Sequence, residues 1–152
     1  MAQDHDYAAR QLQAVLVDRA VEVYGPGATV DDLAKLSGGA SRETWSFDVT
    51  TAGGALMPLI LKRDPMIYQP DGSFITEQTR LGVQRATEGR LMELAGVAGV
   101  PVPEVPFYLP ADDRTTAGFV MQRLEGEALG RRILREDAYA EARPKLAFQC
   151  GH

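Results

Sequence analysis

Cysteine is nearly missing from this 152-residue chain, and histidine and tryptophan are scarce. The one cysteine, Cys150, has no partner for an internal disulfide, so nothing in the composition calls for an oxidising compartment and a reducing cytosol is the expected setting. The only histidines, His5 and His152, stand at opposite ends, which with Cys150 is too little for a zinc site or a Cys/His nucleophile pair. Long apolar runs are missing too. The stretch at residues 54–61 contains Pro58 and is far short of the ~20 residues a spanning helix needs. The acidic start, Met1 to Asp6, lacks the basic region and apolar core of a signal peptide. Positive charge is in deficit: 16 Lys+Arg against 21 Asp+Glu leave a net charge of −5. That balance argues against nucleic acid or an anionic membrane as the main partner and leaves room for a local basic pocket.

What is present describes a folded chain. Apolar residues at 45% and charged residues at 24%, without excess glycine or proline, fit one globular unit and exclude disordered, collagen-like and coiled-coil classes. Residues 7–24 carry Leu12, Val15, Leu16, Ala20 and Val23 at spacings of three and four, the period of an amphipathic helix, which Gly25-Pro26-Gly27 ends. Residues 30–36 fit either a helical turn or a first strand, and the strand is preferred. Residues 44–50 alternate Trp45, Phe47 and Val49 with Ser46, Asp48 and Thr50, the period of a half-buried strand. After an Ala52-Gly53-Gly54 turn, residues 56–62 return as its hairpin partner, with Leu59 and Leu61 on one face and Ile60 and Lys62 on the other. Residues 64–72 read as a loop.

A central helix is expected over residues 76–94, with Val83, Ala86, Leu91, Leu94 and Ala95 on one side, weakened by Gly82 and Gly89 and stopped by Gly96, Gly99, Pro101 and Pro103. Residues 105–109 and 117–124 are the next strands, on either side of a turn at residues 110–114. Helix resumes at Glu127, and residues 138–149 read as a helix continuing past the last residue. Strand runs flanked by helices with hairpin-length connections predict an α+β fold built on an antiparallel sheet.

Three features in order suggest chemistry. Ser37-Gly38-Gly39-Ala40-Ser41 precedes the Trp45 strand, and such a turn bares N–H groups to an anion, although a Gly-Gly turn is often only a turn. It matches neither G-x-G-x-x-G nor G-x-x-x-x-G-K-[ST]. Lys62 closes an apolar strand and could neutralise a phosphate, though lysines commonly end strands in solvent, and Arg63 and Asp64 fit the same polar exit. Glu88 lies on the central helix among Arg85, Arg90 and Glu93, where a solvated charge is the plain reading. A kinase needs such a helical glutamate to hold its strand lysine on the phosphates. Elsewhere, Arg131, Arg132 and Arg135 are followed by Glu136, Asp137 and Glu141 at helical spacing, which reads as a solvated face. Trp45, Phe47 and Val49 read as core.

The strings Leu36 to Trp45, Leu59-Ile60-Leu61-Lys62-Arg63-Asp64-Pro65, Glu88 with Gly99-Val100-Pro101-Val102-Pro103, and Phe119-Val120-Met121-Gln122-Arg123-Leu124-Glu125-Gly126 together resemble the aminoglycoside phosphotransferase family. More narrowly, they are similar to its branch related to the kinase region of some acyl-CoA dehydrogenase family proteins. The resemblance runs from about residue 30 onward. It implies a protein-kinase-like small N-terminal lobe, a five-stranded antiparallel sheet with a packed central helix, at residues 28–125. An N-terminal helix at residues 1–27 would precede it, and residues 126–152 would begin the large lobe. It also implies ATP as ligand, with Ser37, Gly38, Gly39, Ala40 and Ser41 covering phosphates and Lys62 touching them with Glu88 as partner. Gln122, Arg123 and Leu124, after Met121, would be the hinge that meets the nucleobase.

The family's H-G-D-x-x-x-x-N loop and the magnesium-holding aspartate after it do not occur in this sequence, so no residue is assigned as catalytic base or metal ligand. The expectation is a nucleotide-binding lobe cut at the lobe boundary, inactive alone, from a cytoplasmic kinase that phosphorylates a hydroxyl of a small molecule. The alternative is a non-catalytic interaction module that self-associates through the surface a large lobe would cover.

Overall fold

The computed structural model describes residues 2–36, 43–68, 74–76, 85–111, 114–127 and 129–151. The glycine turn at Ser37 to Ser41 therefore lies outside the described residues, as does Gly82. The fold is α+β. Helix α1 (Ala2–Tyr24) is followed by strands β1 (Thr29–Lys35), β2 (Glu43–Thr50) and β3 (Leu56–Arg63), then by the short β4 (Met66–Tyr68) and β5 (Phe74–Thr76). Helix α2 (Arg85–Val97), strands β6 (Phe107–Leu109) and β7 (Gly118–Gln122), and helices α3 (Gly130–Arg135) and α4 (Ala142–Gly151) complete the order. Five strands make one antiparallel sheet in the order β1-β2-β3-β7-β6, and β4 and β5 pair separately.

The two faces of the sheet follow from strand alternation. Register aligns Trp45 with Leu61, Leu61 with Val120 and Val120 with Phe107, so one apolar row crosses four strands. With Phe47, Val49, Leu59 and Leu109 that row forms the core against Leu12, Val15, Leu16 and Ala20 of α1. Each fully buried Leu, Val or Phe contributes roughly 1.5–3 kcal/mol of transfer free energy. Polar ties hold α1 across the sheet: Gln13 Nε2 donates to Val30 O of β1 at 3.2 Å and Arg19 Nη2 to Tyr108 O of β6 at 3.1 Å. Gly25, at φ +94°, takes the left-handed conformation that ends α1, with its N–H on Val21 O. Strand β1 is irregular between Asp31 and Ala34, where Asp32 sits at φ +53°, a bulge that a short polar side chain tolerates.

Several expectations give way. Val23 of α1 is exposed, because Ala20, Val21 and Tyr24 turn toward the core around it and leave position 23 on the outer side of the last turn. The expected loop at residues 64–72 contains β4, whose pairing with β5 also makes Thr76 the end of a strand and not the start of a helix. Helix α2 turns the opposite side inward from the one its leucines suggest: Arg85 and Gly89 are buried, whereas Leu91 is 54%, Leu94 64% and Val97 88% exposed. Gly89 decides this. A Cβ there would stand 2.7 Å from Tyr108 Cε1 and 3.1 Å from Phe119 Cγ, so only glycine lets the backbone of α2 lie so close to the sheet. At the C-terminal end the expected helix over residues 138–149 is a 3-10 turn at Asp137–Tyr139 followed by α4, and neither α3 nor α4 buries a residue.

Candidate functional site

Lys62 occupies the sheet face opposite α1. Its neighbours in register are Thr44 on β2 and Phe119 on β7, and Tyr108 on β6 follows Phe119. Because Gly89 brings α2 onto Phe119 and Tyr108, Glu88 beside it comes within reach of the lysine. Lys62 Nζ donates to Glu88 Oε1 at 3.2 Å, with both side chains about one-third exposed or less. The pair is thus neither a strand-ending lysine in solvent nor a solvated helix charge.

The carboxylate of Glu88 is shared. Arg85, one turn earlier on α2, pairs through Nη1 with Glu88 Oε2 and through Nε with Asp64 Oδ1 at 3.4 Å. Asp64 follows β3 immediately, and its own backbone is held: its N–H donates to Ala117 O at 3.3 Å, and the buried Thr116 hydroxyl donates to its carbonyl oxygen. A chain of opposite charges, Lys62, Glu88, Arg85 and Asp64, therefore links the end of β3 to α2.

Arg63 faces the other side and is 1% exposed, the reverse of a polar exit. Its guanidinium lies 2.8 Å from Glu43 Oε2 and 5.7 Å from the centre of the Trp45 ring, and its Nη1 donates to Thr115 Oγ1 at 3.3 Å. Lys35 Nζ meets the other Glu43 oxygen at 2.6 Å, and Trp45 Nε1 donates to Oε2 at 3.2 Å. Burial pushes the Glu43 carboxyl up, but Arg63 together with Lys35 and Trp45 outweighs it, and the net shift is below the ordinary carboxylate range. Burial, then Glu93, pushes the Tyr108 phenol up.

The strand end at Gln122 to Leu124 borders the same open face. Asp48 on β2 and Arg123 pair at 2.8 Å. The N–H of Gln122 donates to Glu104 O at 2.8 Å and that of Arg123 to Pro58 O at 2.9 Å, so neither is left for a ligand. Of the three expected hinge residues, Leu124 alone has an N–H with no backbone partner among the described residues, and its side chain is exposed.

Sequence reasoning singled out Lys62 and Glu88, and the fold brings these two together. Ser37, Gly38, Gly39, Ala40 and Ser41 lie outside the described residues; Leu36 N donates to Thr44 O at 2.8 Å, which keeps β1 and β2 paired up to that segment. Asp64 and Arg85 were missed. The i, i+3 spacing of Arg85 and Glu88 was the only local signal, since the contact with Asp64 spans residues far apart in the chain. Two surface hollows, one lined by Asp18, Arg19 and Arg114 and one by Pro101, Pro144 and Phe148, do not include Lys62 or Glu88. Among the described residues no group of three or more His, Cys, Asp or Glu side chains converges to hold a metal ion.

No protein-family model matches this chain, no curated protein matches it, and no solved structure matches it.

Proposed function

We propose that residues 28–125 are a nucleotide-binding lobe of the kind found in aminoglycoside phosphotransferase-like small-molecule kinases, with ATP as the ligand. The observation that carries this reading is the Lys62–Glu88 pair at 3.2 Å, a strand lysine held by a helix glutamate on the open face of an antiparallel sheet. The strand order β1-β2-β3-β7-β6, with α2 placed between β3 and β6 in the chain, supports it. In this reading Lys62 neutralises the nucleotide phosphates while Glu88 fixes its ammonium, and the Leu124 N–H is the hinge donor offered to the base. Phosphoryl transfer also needs a group to accept the hydroxyl proton, and the H-G-D-x-x-x-x-N pattern that would supply it does not occur in residues 1–152. The chain as given should bind ATP without turning it over.

Titration calorimetry with ATP and magnesium tests the reading. Binding in the wild type and its loss in Lys62→Ala, with the thermal midpoint kept, is the expected result. Unchanged binding in Lys62→Ala would remove the lysine from the site.

A second reading, a non-catalytic module that associates with itself, is favoured by a separate observation. Leu91, Leu94 and Val97 on α2 and Leu134, Leu146 and Phe148 on α3 and α4 are all exposed. Light scattering that gives a monomer mass at high concentration would sink it.

A further inference from the structure

We propose that Arg85 is a positioning residue for the lysine of this site: it holds one oxygen of Glu88 so that the other is presented to Lys62. The inference rests on the nucleotide-binding reading for its purpose, while its geometry stands on the ion pairs themselves.

Four observations converge on it. Arg85 is 1% exposed, and a buried guanidinium is tolerated only where carboxylates compensate it. The ion pairs seen among the described residues run from Nη1 to Glu88 Oε2 and, at the longer distance of 3.4 Å, from Nε to Asp64 Oδ1. The planar fork of arginine can span two carboxylates in one fixed geometry, which a lysine ammonium does not reproduce. Asp64 is itself clamped to the start of β7 through Ala117 O and the Thr116 hydroxyl, so Arg85 is anchored to the sheet as well as to its own helix. Finally, the two oxygens of Glu88 are divided, Oε2 to Arg85 and Oε1 to Lys62, which fixes the plane of the carboxylate.

The arrangement also settles the charge that an anion would meet. Lys62, Arg85, Glu88 and Asp64 carry two positive and two negative charges. Within these four groups, loss of the guanidinium leaves two carboxylates beside one lysine and disfavours an approaching phosphate. With it, Glu88 remains neutralised when Lys62 turns toward a phosphate.

The test uses the full chain and two readouts. The lysines are Lys35, Lys62 and Lys145, so reductive methylation with 13C-formaldehyde gives a spectrum in which Lys62 is assigned by its loss in Lys62→Arg. The expected result is that Arg85→Lys displaces the Lys62 signal as Glu88→Gln does, leaving the signal of Lys35, which sits at Glu43, in place. A Lys62 signal unmoved in Arg85→Lys but moved in Glu88→Gln overturns the proposal. Asp64→Asn, which leaves every cation present and loosens the fork, gives the same reading if Arg85→Lys does not fold. The second readout is calorimetry with ATP and with adenosine. Arg85→Lys should weaken ATP by about tenfold, the loss of one charge-assisted hydrogen bond, and leave adenosine within about twofold. Equal losses for both ligands would mean a loosened fold and overturn the proposal. If the wild type binds neither ligand, the nucleotide reading falls and the lysine spectrum alone decides the role of Arg85.

Discussion

Replacing Gly89 by alanine should destabilise this protein, against the usual expectation for a helix. In an exposed helix interior alanine is favoured over glycine by about 1 kcal/mol. At Gly89 the added methyl would stand 2.7 Å from Tyr108 Cε1, 2.9 Å from its hydroxyl oxygen and 3.1 Å from Phe119 Cγ. Tyr108 is half-buried with the Arg90 guanidinium 4.7 Å from its ring centre, whereas Phe119 is fully buried and has no room to withdraw. Overpacking of this kind costs about 1–3 kcal/mol, so a net loss of about 1 kcal/mol remains after the gain in helix propensity. For a chain of this size that lowers the midpoint of thermal unfolding by roughly 2–4 °C. Gly130→Ala in α3 is the control, because nothing lies within 4 Å of a Cβ there, and its midpoint should stay or rise slightly. Differential scanning calorimetry on the two variants decides the matter. A midpoint for Gly89→Ala that rises as much as that of Gly130→Ala would refute the close approach of α2 to the sheet. The same displacement should loosen the contact of Glu88 with Lys62, and if the nucleotide-binding reading holds, ATP binding should weaken in step with the lost stability.

Two further predictions follow from the charge cluster and the exposed helix face. Glu43→Gln should lower stability at neutral pH by on the order of 2 kcal/mol, since it removes the charge facing the buried Arg63. The folded pKa of Glu43 lies below its ordinary value of 4.5, so the stabilisation is fully present above that pH and is lost as pH falls through the lower folded value. Urea unfolding at stepped pH should show the gap between wild type and variant closing in acid, and a constant gap would contradict this. Leu94→Lys on the exposed face of α2 should change stability by less than about 0.5 kcal/mol. If the interaction-module reading holds, it should also lower the mass seen by light scattering, and an unchanged oligomer would place the contact elsewhere.

The sheet was the part most legible before folding. The alternation of Trp45, Phe47 and Val49 and the answering Leu59 and Leu61 announce both the hairpin and its buried face, because side-chain direction in a strand depends only on parity. Helix α1 was legible for the same kind of reason, its apolar stripe matching the helical period up to the last turn. Helix α2 was not. Its leucines point outward and Gly89 inward, and nothing local distinguishes a glycine that weakens a helix from one that admits a neighbouring ring at contact distance.

The candidate site divides along the same line. Lys62 and Glu88 could be named only from their order along the chain after the glycine turn, since each by itself reads as an ordinary solvated charge. That they meet at 3.2 Å, that Arg85 takes the second oxygen of Glu88, and that Asp64 closes the chain of charges depend on β3 and α2 being brought side by side. The neighbours Arg63 and Asp64 make the distinction sharpest. Adjacent in sequence and alike in polarity, they go to opposite sides of the sheet end, Arg63 beneath Trp45 and Asp64 toward Arg85. Periodicity along one segment determined which faces exist, whereas the pairing of segments decided which charges are buried, because a charge enters the interior only where a distant residue is placed to compensate it.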